Sequence, residues 1–171
     1  IQVDLKGDDY NDTLLWKTEE GIVVKPFYTK EDGTNTKINL PEKGFNICQT
    51  IFIDDEKIAN YLALDALKRG ANAIQFKASK KFKYQKVLDK INISVIAIYF
   101  QFSFLDDDFQ IELSNVYSSE NVYFQTDILG NLAASGNWFI NLKEDHRKLG
   151  NIITSTKNCI SVTGDLYQNA G

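Results

Sequence analysis

The chain has 171 residues, 43% hydrophobic, 25% charged and 12% aromatic, with a formal net charge of −4. These fractions exclude disordered, collagen-like and low-complexity proteins, and the length suits one domain able to bury about 70% of its unfolded surface. It falls short of the roughly 250 residues of a complete eight-stranded α/β barrel. There is no methionine, and the chain starts at Ile1 and stops at Gly171 directly after Gln168-Asn169-Ala170. It is therefore expected to be a fragment, with the native protein continuing beyond Gly171.

Residues 1–44 are polar, dotted with glycine, and hold both prolines, Pro26 and Pro41. Short apolar runs, Leu14-Leu15-Trp16 and Ile22-Val23-Val24, sit between charged stretches. This pattern predicts an extended N-terminal arm that docks on a surface rather than a domain with its own core. From Phe45 the texture changes. Phe45–Ile53 predicts a strand, and Asp54-Asp55 cap a helix on which Ile58, Ala59, Leu62, Ala63, Ala66 and Leu67 form one apolar stripe. Lys68-Arg69 and Gly70 end that helix. Ala73–Phe76 predicts a second strand, and Lys80-Lys81-Phe82-Lys83 the solvated start of a further helix. That helix carries Tyr84, Val87, Leu88 and Ile91 on one face. Ser94–Phe102 is apolar almost without alternation, as expected of a parallel strand covered on both faces. Val122–Leu129 predicts a fourth strand, Leu142 to Ile153 a helix, and Cys159–Thr163 the start of a fifth strand. Alternating strands and helices imply right-handed βαβ units and a parallel sheet.

General chemistry motifs are sparse. No Lys/Arg block is large enough for a nucleic-acid-binding face, and no stretch approaches 18 apolar residues, so neither nucleic acid nor membrane is an expected partner. Asp106-Asp107-Asp108 predicts a solvated loop, because successive side chains do not converge on one ion. Cys48 and Cys159 read as two free thiols, without a second histidine to build a zinc set. His146, the single histidine, lies among charged residues and reads as a solvated helix position rather than a base or metal ligand. Gly130 and Gly136 form neither a dinucleotide fingerprint nor a phosphate loop. The Asn11 and Asn92 sequons are taken as accidental, and the lack of a targeting pattern at the N-terminus predicts a cytoplasmic protein.

Three segments together resemble the small (beta) subunit of methylmalonyl-CoA mutase, within the cobalamin-dependent acyl-CoA mutase family. Trp16-Lys17-Thr18-Glu19-Glu20-Gly21-Ile22-Val23-Val24-Lys25-Pro26-Phe27-Tyr28-Thr29-Lys30-Glu31-Asp32 looks like the family's N-terminal Thr-x-Glu-Gly-Ile-x-Val-Lys-Pro signature with its following Tyr-Thr and Asp. Phe45 to Thr50, Ala59-Asn60 and Leu67-Lys68-Arg69-Gly70-Ala71 are similar to the first barrel strand and helix. Asp127-Ile128-Leu129-Gly130 is like the small subunit's Asp-Pro-Leu-Gly, and Gly164 through Gly171 follows in matching order.

The resemblance implies the N-terminal part of a (β/α)8 TIM barrel over residues 45–171, incomplete, preceded by the arm at 1–44. It also implies a separate cobalamin domain, whose cobalt-binding Asp-x-His-x-x-Gly motif is absent from this sequence. The departures carry the functional expectation. Where catalytic chains hold the CoA thioester with an arginine and guard the radical with a tyrosine, this chain has Cys48 and Thr50. Cysteine has no guanidinium fork. Where catalytic chains place a histidine on the thioester carbonyl, this chain has Leu166, which cannot donate a hydrogen bond. The tyrosine- and arginine-rich CoA-gripping loop ahead of the first strand is also missing.

The expected function is a non-catalytic small subunit in a heterodimer with a methylmalonyl-CoA mutase large subunit. The large subunit would bind adenosylcobalamin and interconvert methylmalonyl-CoA and succinyl-CoA, with no cofactor on this chain. Trp16, Ile22, Pro26, Phe27 and Tyr28 are the expected partner-binding residues, aromatics being favoured interface anchors, although Trp16 could equally pack on its own chain. Two further readings stay open at this stage: a catalytic chain of a divergent acyl-CoA mutase, and an unrelated small α/β binding module.

Overall fold

The computed structural model describes residues 5–33, 44–117, 121–164 and 168. Two compact units divide the chain, Ile1–Gly44 and Phe45–Gly171.

In the first unit, a one-turn helix α1 (Tyr10–Thr13) is capped by Asp9, whose carboxylate accepts from Asn11 N. Strands β1 (Trp16–Lys17) and β2 (Val23–Val24) pair antiparallel, with Trp16 opposite Val24. The connecting turn is built by Thr18 and Gly21. Thr18 N donates to Ile22 O at 2.9 Å, and Ile22 N donates to Thr18 Oγ1 at 3.2 Å. Gly21 takes φ 80°, a left-handed value that a side chain would strain. A short 3₁₀ turn, Lys30–Asp32, closes the described part of the unit. Local polar bonds hold this hairpin-and-turn module, and none of residues 5–33 is buried.

The second unit is a five-stranded parallel sheet of β3 (Cys48–Phe52), β4 (Ala73–Ala78), β5 (Ala97–Phe102), β6 (Val122–Gln125) and β7 (Cys159–Ile160). The strands lie in sequence order across the sheet. Between them run α2 (Glu56–Lys68), α3 (Tyr84–Val87), α4 (Asp107–Val116), α5 (Ile128–Ser135) and α6 (Leu142–Ser155). Sequential order with right-handed crossovers sends successive helices to one face, whereas a doubly wound sheet reverses direction and covers both. The packing agrees. Ala59 and Ala63 of α2, Tyr84 and Val87 of α3 and Phe109 and Leu113 of α4 share one buried cluster with Ile51, Phe76, Phe100 and Phe124. Those four strand residues are register partners, continued by Cys159 on β7.

Helix α2 follows its sequence signals. Asp55 accepts from Lys57 N and Ile58 N, at 2.9 and 3.0 Å, and Gly70 leaves the helix at φ 108°. The apolar stripe divides, however: Ala59 and Ala63 are buried, while Ile58 and Leu62 are exposed beside the free edge of β3.

Several sequence expectations are corrected. The Ser94–Phe102 run is not covered on both faces: in β5 Ile98, Phe100 and Phe102 are buried and Ala97, Tyr99 and Gln101 are half-exposed. The alternation was hidden because tyrosine and alanine count as apolar while tolerating a wet face. Strand β6 stops at Gln125, because Asp127 caps α5 by accepting from Gly130 N at 2.7 Å. The helix after Lys83 lasts one turn before Lys90 takes φ 62°. Phe82, within the basic patch ahead of it, is a core residue, and Lys81 pairs with Asp106 at 2.7 Å. Asp106–Asp108 is no solvated loop. Asp106 caps α4 by accepting from Phe109 N at 2.8 Å, and Asp107 is 5% exposed against α6.

Gly130 also approaches Asp127 closely. A Cβ built there would lie 2.5 Å from Asp127 Oδ2, an oxygen held by Thr163 N at 2.9 Å and Thr163 Oγ1 at 3.1 Å. Gly130→Ala therefore displaces a carboxylate that is both helix cap and tether. The expected cost is about 1–2 kcal/mol in chemical denaturation, with hydrogen exchange at the Thr163 amide accelerated.

Candidate functional site: the open sheet face and its carboxyl ends

Side chains alternate along a strand, so the face opposite the helices carries a second set of rows. Cys48, Ala73 and Ala97 form the first row. Thr50, Gln75, Tyr99 and Tyr123 form the second, and Phe52, Lys77, Gln101, Gln125 and Ile160 the third. Thr50 Oγ1 donates to Gln75 Oε1 at 3.0 Å, and Gln75 Nε2 donates to Gln125 Oε1 at 2.8 Å. Tyr99 and Tyr123 stack with centroids 4.9 Å apart. Burial raises the Tyr99 phenol above its ordinary range, with Tyr123 adding to the shift.

Two cavities lie at the carboxyl ends of the strands, where parallel α/β sheets bind ligands. One, of about 420 Å³, is lined by Asp54, Lys77, Ser79, Gln101 and Ser103 among others. The second, of about 320 Å³, includes Gln101, Ser103, Gln125, Asp127, Asn131 and Thr163. A larger apolar groove of about 620 Å³ runs along the free β3 edge, between Phe52, Ile58 and Leu62. Its polar lining is Gln49, Thr50, Asp54, Asp55 and the Asp65–Arg69 pair.

Cys48 and Thr50, at positions implied by the resemblance, both fall on the open face of β3. Burial pushes the Cys48 thiol up, so it is no activated thiolate, and Thr50 is bonded to a glutamine rather than to a base. Leu166 lies outside the described residues. His146 sits on α6, exposed, with Nδ1 2.7 Å from Leu142 O and its ring 5.5 Å from Trp138. Among the described residues no cluster of three His, Cys, Asp or Glu side chains forms a metal site, and no helix is long and apolar enough to cross a membrane.

In the first unit, Trp16, Ile22, Phe27 and Tyr28 are 66%, 61%, 52% and 61% exposed, and Pro26 is also exposed. Tyr28 Oη accepts from Lys25 N at 3.1 Å, and Lys25 pairs with Asp32. The Lys25 ammonium and the Thr29 backbone amide hold the Asp32 carboxyl down at about 2. Thr18, Gly21, Lys25, Thr29 and Asp32 of the signature-like stretch thus shape this module, and its apolar residues face outward. Sequence reasoning missed the Lys77–Gln101–Gln125 row, which only strand register reveals.

The fold defines an α/β protein on a singly wound parallel sheet, with a polar open face and cavities at the carboxyl ends of its strands. No protein-family model matches the chain. The chain is 33% identical, over 94 residues, to the methylmalonyl-CoA mutase small subunit of Porphyromonas gingivalis, a match covering 47% of this chain and 15% of that protein. The match thus spans only a small part of that relative's length.

Proposed function

We propose that this chain belongs to the non-catalytic small subunit of an adenosylcobalamin-dependent methylmalonyl-CoA mutase, a cytoplasmic heterodimer whose large subunit interconverts methylmalonyl-CoA and succinyl-CoA. In this reading β3 to β7 are the first five strands of a (β/α)8 barrel, and residues 1–44 are an arm that docks on the large subunit through Trp16, Ile22, Pro26, Phe27 and Tyr28. The similarity to a mutase small subunit supports the family. Sequential strand order and one-sided helices fit a barrel segment.

One observation carries the non-catalytic assignment. Cys48 and Thr50 sit on the sheet face that a ligand along a barrel axis would meet, and neither supplies a guanidinium or a phenol. Leu166 adds the loss of an imidazole. Adenosylcobalamin, when bound, supplies radical chemistry, and the residues described here do not fit it. The one imidazole of the chain lies exposed on α6, which packs on the helix-covered side of the sheet and not on its open face. The cofactor belongs to the large subunit in this proposal.

The test is co-expression of the full-length protein with candidate mutase large subunits, followed by mutase assay of each chain alone and together. The expected result is a stable complex, activity in the large subunit and complex only, and weakened co-purification on Trp16→Ala/Phe27→Ala substitution. Activity of this protein alone with adenosylcobalamin would establish the divergent catalytic reading instead. Failure to associate with any large subunit removes the proposal.

A further inference from the structure

We propose that the row Lys77–Gln101–Gln125 at the carboxyl end of the sheet binds the carboxylate of a small organic acid. The inference stands on the sheet alone and holds independently of the mutase reading. Lys77 is the register partner of Gln101, and Gln101 of Gln125. Adjacent strands are about 4.8 Å apart, so the three side chains present hydrogen-bond donors over roughly 10 Å of one face.

Lys77 and Gln125 offer donors that point to an acceptor, while the orphan on Gln101 is itself an acceptor. Lys77 is half-buried, and among the described residues no carboxylate lies within the 4.0 Å reach of an ion pair. Its ammonium is the positive charge that an anion brought to the row would meet. Gln125 Oε1 is engaged by Gln75 Nε2, which fixes the amide and leaves its own N–H groups to donate. Gln101 Oε1 is buried without a partner; it is an acceptor and calls for a donor, so it does not hold the carboxylate, and the Gln101 amide meets the acid only through Nε2.

The surroundings suit a small molecule. The 420 and 320 Å³ cavities meet at Gln101 and Ser103, and Ser79 adds a hydroxyl. Phe52 and Ile160 bound the row with apolar side chains at its two ends. Two acids also line these cavities. Asp127 is consumed by Gly130 and Thr163, and among the described residues Asp54 makes no ion pair with Lys77, so neither acid takes the place of the anion. The inference commits to a carboxylate from solution.

Glutarate titrated into the full-length protein, followed by calorimetry and amide NMR, tests it, with glutaramide as the uncharged counterpart. Saturable glutarate binding is expected, with shifts confined to β4, β5, β6 and the loops that follow them, and no response to glutaramide. Lys77→Met should weaken binding at least tenfold, and Lys77→Arg should retain it. Gln101→Glu puts a carboxylate beside Lys77 and should abolish glutarate binding while raising the melting temperature, which keeps the test intact if Lys77→Met folds poorly. Equal binding of glutaramide, undiminished glutarate binding in both Lys77→Met and Gln101→Glu, or no glutarate binding because Lys77 is paired internally would each overturn the inference.

Discussion

Replacing Phe100 by alanine is expected to lower the unfolding free energy by about 3–5 kcal/mol, the range for deleting a fully buried aromatic ring. Phe100 is wholly inaccessible on the central strand. Its ring lies 5.8 Å from Phe76, 5.7 Å from Phe124, 6.1 Å from Phe82 and 5.8 Å from Phe102. Phe76 and Phe124 are its register partners on the adjacent strands. They are held by the ladder and cannot swing into the vacated volume, so the cavity term persists alongside the lost transfer free energy. Phe82, from the segment ahead of α3, is the one of the four rings that no strand carries, but it is itself packed on Phe102 and Phe109. Urea denaturation at neutral pH measures it as a drop in midpoint with little change in slope. Val95→Ala, at a residue 71% exposed, is the control and should stay within about 0.5 kcal/mol. A Phe100→Ala effect as small as the control's would mean that the aromatic row does not organise the sheet.

That row shows what was legible in the residues and what was not. Helix α2 could be read from its ends because Asp55 and Gly70 act locally, through bonds within a few positions of themselves. Helix α4 could not. Asp106 and Asp107 look alike on paper, yet one caps its own helix and the other pairs with Lys148, 41 positions away. Helix α5 was hidden for a related reason. Val122 to Leu129 reads as one strand although Gln125-Thr126-Asp127 interrupt its apolar character, and the bond from Gly130 N to Asp127 marks where strand gives way to helix. The Thr18–Asp32 stretch was visible as a signature, but its physical content, a set of side-chain-to-backbone bonds with the aromatics left outside, needed coordinates. Cys48 and Thr50 were singled out by resemblance and fall on the open face as strand alternation requires. The Lys77 row was invisible because it joins three segments through register alone.

Substituting Asp107 is expected to separate two contributions that the residue makes to joining α4 and α6. Its carboxylate pairs with Lys148, accepts from Asn151 Nδ2 at 2.8 Å and lies 3.8 Å from Arg147 Nη1. The side chain of Asp107 is 7% exposed and that of Lys148 is 17% exposed. Asp107→Ala leaves a largely buried ammonium without its counter-ion, and breaking such a pair from one side costs about 3–5 kcal/mol. The double variant Asp107→Leu/Lys148→Met should be less destabilised than Asp107→Ala, because it removes the unpaired charge and fills the space. Equal losses in the two variants would show that packing rather than charge governs the joint. The pH dependence follows with a definite sign. Burial pushes the carboxyl up, but Lys148 and Asn151 outweigh it and hold it at about 2, below the ordinary 3.8. A carboxyl with a depressed folded pKa favours the native state above its unfolded value, and that contribution is lost as pH falls through the folded one. About 2 kcal/mol should therefore disappear from the parent protein between roughly pH 5 and pH 2. In Asp107→Ala that contribution is absent from the start, so its stability should fall less steeply over the same interval. Parallel slopes for the two proteins across that window would place the acid sensitivity in other carboxylates and detach it from the α4–α6 joint.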